Sequence, residues 1–212
     1  MSSTEIIRLI FMGIAAYFIG NINPAIIIGK LKGIDIRKEG SGNAGMTNSI
    51  RVMGLGAGIA VFVIDVLKAF IAVKLGLSFC GAAGAMAAFA GVVLGHCFPA
   101  VFGFKGGKGV AAAFGAALAL NWPSAVAALL VAGIIFLTTR RMSVASLAAA
   151  LSYPLLIWRF DRGYVYFAVC AAAFLMIMHM ANIKRIAKGE EKPLTIGGGK
   201  KSDESDEKEQ IK

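Results

Sequence analysis

From about residue 6 to residue 183 the chain is a series of long apolar runs broken only by short polar connections. A helix needs roughly 20 apolar residues to cross about 30 Å of hydrocarbon. These runs leave room for about five to seven spans. A water-soluble fold is excluded by the surface it would have to hide. Hydrophobic residues make up 58% of the chain and charged residues 16%, against about 25% charged in ordinary soluble domains. Lipid accepts such surface as solvent, so the expectation is an all-α integral membrane protein. The N-terminus opens MSSTE, without a basic region, and leads into a run of about 24 residues. A signal core is roughly 7–15 residues long, so this run reads as the first span and not as a cleaved leader.

The spans follow from the breaks. The first covers about 6–29 and is interrupted by Asn21, Asn23 and Pro24. A polar loop at 30–50 leads to a second span at 52–75, a break near Gly76–Ser78 and a third span at 79–102. After the loop 103–109, Asn121-Trp122-Pro123-Ser124 divides an Ala-rich run into short helices at 110–120 and 124–138. Pro123 suits the opening of the second. The loop Thr138–Ser143, a span at 143–158, a turn at 159–163 and a span at 164–183 complete seven segments. Residues 1–186 read as one transmembrane domain, and 187–212 as a charged tail too polar to pack, hence disordered. No internal repeat is visible. Cys80, Cys97 and Cys170 lie apart in apolar segments and read as inert buried thiols.

The net charge of +10 does not imply a nucleic-acid partner. With seven spans and the N-terminus outside, Lys30, Lys32, Arg37, Lys38, Arg51, Lys105, Lys108, Arg140, Arg141 and the tail share one face. Only Lys74, Arg159 and Arg162 lie near the other. Basic loops mark the cytoplasmic side, which places the C-terminus there. Five spans with a partly inserted hairpin give the same sidedness.

Unusual polar residues gather at that face. Gly40-Ser41-Gly42-Asn43-Ala44-Gly45-Met46-Thr47-Asn48 is followed by Arg51. Small residues let successive N–H groups turn toward an anion, and Arg51, expected one turn inside the second span, can grip phosphate with its fork. Read alone, the loop serves equally as a polar connection with a helix cap. Lys105-Gly106-Gly107-Lys108-Gly109 precedes a helix, a natural phosphate seat. It lacks the first glycine and the Ser or Thr of a nucleotide-binding P-loop, and a tight basic loop explains it too. His96 and His179 fall near the ends of two spans, with Asn182 three residues after His179. Ionisable groups inside spans default to functional hypotheses. Asp65 and Lys68, at i and i+3, read as a structural ion pair. No metal-ligand spacing is present. The His-x4-Asp signature of thioester-using acyltransferases and the aspartates of CDP-alcohol phosphotransferases are missing.

Three stretches in series resemble the bacterial membrane acyl-phosphate:glycerol-3-phosphate acyltransferases, the PlsY family. They are GIDIRKEGSGNAGMTN with Arg51, GHCFPAVFGFKGGKGV, and HMANIKRIAKGEE ending at Glu191. The likeness covers about 5–192. One departure is Ala112, where the family has Thr two residues after the Val of GKGV. The resemblance implies seven helices, a cytoplasm-facing site, acyl phosphate as donor, glycerol 3-phosphate as acceptor and no cofactor. Lysophosphatidic acid and phosphate would be the products. It implies catalytic roles for Ser41, Arg51, Lys108, His179 and Asn182. Substrate contacts are expected from Gly42, Asn43, Gly45, Thr47, Asn48, His96, Gly106, Gly107, Gly109 and Glu191. Membrane lipid and the enzyme that makes acyl phosphate are the expected partners. A transporter of phosphorylated organic anions is the alternative, since broken helices and basic mouths suit that class. A membrane scaffold binding through its tail is a third.

Overall fold

The computed structural model describes residues 2–194, and among them every regular element is helical. Helix α1 (Ser3–Asn21) opens with a capping box: the Ser2 hydroxyl accepts from the Glu5 amide, and the Glu5 carboxylate accepts from the Ser2 amide. The break expected near Asn21–Pro24 is real. Asn23 caps α2 (Pro24–Leu31) through its side chain, and Pro24 begins it.

The loop read as 30–50 is shorter than expected. Its last residues form a separate helix, α3 (Met46–Met53), ended by Gly54 at φ +89°. Arg51 therefore sits on α3, and the next helix, α4 (Leu55–Cys97), begins three residues later than read. As a straight rod its 43 residues would be roughly 65 Å long. Instead it folds back at Cys80 (φ −139°) and Gly81 (φ +59°). Asp65 and His96, 31 residues apart, end 3.1 Å from each other. The bend lies beyond the expected Gly76–Ser78. Gly76 belongs to the tight pairing of the two arms, where a Cβ would meet the Gly84 backbone.

A 3₁₀ turn (Ala100–Phe102) and a basic loop lead to α5 (Val110–Leu120) and α6 (Trp122–Thr139), divided at Asn121 as the proline suggested. Then come α7 (Met142–Phe160), a 3₁₀ turn (Arg162–Tyr164), α8 (Val165–Met178) and α9 (Met180–Ala187). The last pair, expected as one straight span, bends by 65° at His179.

By length and apolarity four stretches can cross a membrane: Ser3–Leu31, Leu55–Phe102, Trp122–Thr139 and Met142–Phe160. The bent pair of α8 and α9 raises this to five. The expected seven exceeds that number for two reasons. The folded-back α4 counts once, and α5, at 11 residues, is roughly 16 Å long.

The packing is that of a protein in lipid. Ala16, Ala69, Ala85, Ala88, Ala112 and Ala116 fill the interior, while Phe11, Leu31, Leu130 and Leu155 point outward. Large apolar side chains gain nothing by leaving lipid, so small residues that let backbones approach take the helix contacts. Gly20 of α1 faces Gly95 of α4 so closely that a Cβ would stand 2.9 Å from the Gly95 Cα. Of the cysteines expected to be buried, Cys97 is, whereas Cys170 faces outward.

Candidate active site

Four polar segments converge on one mouth. They are the loop before α3 with the start of α3, the basic loop before α5, the start of α7, and α9 with the residues after it. Behind the mouth lies a cavity of about 1460 Å³. Ser41, Thr47, Arg51, Lys108, Arg185 and Glu191 line its polar end. The rest of its wall carries Ala113, Phe114, Ala117, Ala128, Leu129, Ala149, Tyr153 and Ala172.

The α3 end presents uncapped N–H groups. Gly45 is the N-cap and makes no side-chain cap bond, so the first-turn N–H groups remain available to a ligand. Thr47 and Arg51 are one turn apart on one face of α3. Thr47, Gly45, Ser41 and Asn43 all line the cavity. Asn48 has a different role. Its Oδ1 accepts from the Ser41 amide at 2.8 Å, and its amide donates to the Ile36 and Glu39 carbonyls. Fully engaged and buried, it shapes the loop and does not reach into the cavity. Gly42, at φ +70°, provides the turn in that loop and is also off the cavity wall.

The basic loop contributes one side chain and none of the expected amide cradle from Gly106 and Gly107. Their N–H groups donate to the Cys97 and His96 carbonyls at 3.1 and 3.2 Å. Gly109, at φ +85°, turns the chain into α5 and does not line the cavity. These glycines aim Lys108. Its ammonium donates to Asn182 Oδ1 at 2.5 Å, which leaves two protons for the cavity. Burial, and then the neighbouring positive charges of Arg185 and Arg51, push its pKa down from 10.5 to about 8, with Glu191 opposing.

On α9, Asn182 and Arg185 are held by Glu191, which folds back from beyond the helix. Glu191 Oε1 accepts from Ser143 at 2.6 Å and from Asn182 at 2.7 Å; Oε2 accepts from Arg185 at 2.6 Å. Burial raises the carboxyl's pKa, but these three donors outweigh it and hold it below the usual carboxylate range. Glu191 thus anchors Ser143, Asn182 and Arg185 while itself lining the cavity. Within the stretch 187–212, expected as a disordered tail, Glu190 and Leu194 also make backbone bonds, to Arg185 and Arg140. The remainder of that stretch lies outside the described residues.

His179 Nδ1 is 2.8 Å from the Leu175 carbonyl. A carbonyl only accepts, so Nδ1 carries the proton and Nε2 keeps a lone pair in the neutral ring. His179 lines the cavity. His96 also reaches its wall, but Nδ1 is committed to Asp65, whose expected pairing with Lys68 measures 2.7 Å. Ala112 is wholly buried and off the cavity wall, so the missing hydroxyl there removes no contact.

Sequence reasoning left Arg185 and Ser143 off the site. Arg185 follows Asn182 by three residues and so shares its helical face, a signal that was available. Ser143 gave none, because its partner is 48 residues away.

This is a helical membrane bundle with a cavity that is cationic at its mouth and apolar behind. A family model described as glycerol-3-phosphate acyltransferase matches residues 10–189. The chain is 37% identical over 182 residues to the glycerol-3-phosphate acyltransferase of Alkaliphilus metalliredigens (strain QYMF), covering 85% of this chain and 93% of that one. It is 40% identical over 190 residues to the one from Aquifex aeolicus (strain VF5), with 87% and 98% covered. A crystal structure of PlsY (YgiH), an integral membrane glycerol 3-phosphate acyltransferase, in its glycerol 3-phosphate form superposes with a TM-score of 0.82 at 36% identity, covering 88% of this chain and 96% of that one. Its lysophosphatidic acid form gives 0.80 at 37% identity, covering 87% and 94%. This chain belongs to the glycerol-3-phosphate acyltransferase family of PlsY type, integral membrane enzymes of phospholipid synthesis.

Proposed function

We propose that this enzyme takes its acyl group from an acyl phosphate and places it on the sn-1 hydroxyl of glycerol 3-phosphate. The products are lysophosphatidic acid and inorganic phosphate, and no cofactor takes part. One observation carries the reading: a single cavity of about 1460 Å³ joins the cations Arg51, Lys108 and Arg185 to an alanine-lined apolar wall. That cavity suits two anionic head groups beside a fatty chain. The related enzyme was solved in forms named for glycerol 3-phosphate and lysophosphatidic acid, which agrees with such a cavity.

Each hydrogen bond to a charged group contributes about 1.5–3 kcal/mol, so the three cations offset the repulsion between two phosphates. The sn-1 oxygen attacks the acyl carbonyl carbon. The carbonyl electrons move to oxygen, where the free Lys108 protons face the developing charge. When the carbonyl re-forms, the carbon–oxygen bond to phosphate breaks and phosphate leaves with the electron pair. The hydroxyl proton passes to a substrate phosphate oxygen. His179 Nε2 accepts a hydrogen bond from the attacking hydroxyl and orients it. Ser41, Asn43, Thr47 and the α3 amides hold the remaining phosphate oxygens.

We read the membrane placement as seven crossings in a bacterial inner membrane, N-terminus outside and mouth in the cytoplasm. The segments that meet at the mouth follow α2, α4, α6 and α9. An even number of crossings between successive visits is consistent with one crossing for each arm of α4 and for each member of the pairs α5/α6 and α7/α8. Basic loops on that side agree with a cytoplasmic mouth. Residues 1–186 form the transmembrane domain, and 187–212 follow as a cytoplasmic tail. Another enzyme must supply the acyl phosphate.

Phosphate release from palmitoyl phosphate by purified protein tests the reaction. Release is expected only with glycerol 3-phosphate present, with matching formation of lysophosphatidic acid. Equal release without the acceptor, or acylation from acyl-CoA alone, would refute it.

A further inference from the structure

Beside the polar mouth lies a second charged cluster, buried between the arms of α4 and reaching the cavity wall through Asp65 and His96. Asp65, Lys68 and His96 are 1%, 6% and 2% exposed. Lys68 Nζ lies 2.7 Å from Asp65 Oδ1, 2.5 Å from the Ile22 carbonyl and 3.1 Å from the Gly20 carbonyl. It is also 3.1 Å from His96 Nδ1. An ammonium has three protons, and three of these four neighbours can only accept. Lys68 is fully used by them. His96 Nδ1 must then carry its own proton, donated to Asp65 Oδ1 at 3.1 Å. The ring is fixed in tautomer and direction, with its Nε2 edge pointing away from Asp65.

That edge meets the basic loop. A Cβ on Gly107 would overlap His96 Nε2 and lie 3.0 Å from Cε1, and the Gly107 N–H donates to the His96 carbonyl. The residue after Gly107 is Lys108. The same Cβ would stand 2.8 Å from the Ala44 carbonyl, which accepts from Asn23 at 3.4 Å. His96 therefore touches a backbone point where the loops carrying Lys108 and the α3 seat come together. Lys68, through Gly20 and Ile22, ties this point to the break between α1 and α2.

We propose that Asp65, Lys68 and His96 are positioning residues for the phosphate seat: Asp65 and Lys68 lock the His96 ring, and the ring's Nε2 edge sets Gly107 and so the reach of Lys108. This rests on the proposed role of Lys108 in holding a phosphate. The buried pair is thereby more than an offset of charge in the bilayer.

The test compares His96→Asn, Lys108→Ala and the double variant. Asparagine retains a donor near the Nδ1 position toward Asp65 and removes only the edge at Gly107. Calorimetric titrations use glycerol 3-phosphate and, separately, an alkyl phosphate that cannot transfer an acyl group. Lys108→Ala is expected to weaken one of them. His96→Asn should weaken that same ligand about tenfold, about 1.4 kcal/mol, and the other by far less. In the double variant it should add nothing to Lys108→Ala. Equal weakening of both ligands, full additivity with Lys108→Ala, or no weakening would overturn the inference. A fall in unfolding temperature that accounts for the lost binding would do so as well. If Lys108→Ala itself binds both ligands normally, the site assigned to Lys108 fails first.

Discussion

The phosphate contact proposed for Lys108 would make binding depend on pH in a way that can be worked out. The drop from 10.5 to about 8 is about 3 kcal/mol against the charged ammonium. It arises from burial first and from Arg185 and Arg51 next. A bound phosphate reverses the charge argument, because its oxygens favour the ammonium. Below pH 8 the amine is already charged and binding needs no proton. Above pH 8 the free enzyme is neutral at Lys108, so binding must take up one proton. Affinity then falls about tenfold per pH unit. The fall continues until the pH reaches the raised pKa of the complex. The ligand does not confuse the result, since the second pKa of a phosphate monoester, near 6, lies well below the range of the decline. Titration of glycerol 3-phosphate and an alkyl phosphate from pH 7 to 9.5, in buffers of different ionisation enthalpy, measures both affinity and proton uptake. At least one ligand should show constant affinity to about pH 8, then the tenfold decline with uptake of close to one proton. Lys108→Arg should remove the decline, because arginine stays charged. Flat affinity for both ligands to pH 9.5, or an undiminished decline in Lys108→Arg, would refute the reasoning.

Other perturbations test neighbouring parts. Glu191→Gln turns one acceptor oxygen into a donor facing Ser143, Asn182 or Arg185. The loss of about 2 kcal/mol from a charged hydrogen bond should lower kcat/KM about 30-fold, measured by phosphate release. Gly115→Val places atoms against the Val66 backbone between α5 and α4. Overpacking of about 1–3 kcal/mol should lower the unfolding temperature in detergent. Single cysteines at Ser41 and Lys105 should react with an impermeant reagent from the same side of sealed vesicles, and one at Arg162 from the opposite side.

Much of the fold was legible because its breaks are chemical. Asn23-Pro24 and Asn121-Trp122-Pro123 carry both a cap and a proline, and the structure breaks at those points. The bend at His179 has neither proline nor glycine beside it, and nothing in its local chemistry announces it. Helix α3 was hidden by Thr47, Asn48 and Ser49, which read as loop. Its buried side, Asn48 to Ile50, exists only because distant segments cover it. The chemical groups of the site were legible by type, and Ser41, Thr47, Arg51, Lys108, His179 and Asn182 all reach one cavity. Their division of labour was not. Whether the Gly106 amide faces a ligand or the Cys97 carbonyl depends on a contact that spacing does not encode.

The mouth draws on chain segments from Ser41 to Glu191, and this has a consequence for the enzyme's birth. A ribosome delivers α3 early, but Asn182, Arg185 and the carboxylate that restrains them emerge much later. Until then Lys108 has a neighbourhood without its amide partner, and the phosphate pocket is open on one side. A nascent chain inserting into the bilayer therefore lacks the assembled mouth through most of its synthesis, until α9 has docked.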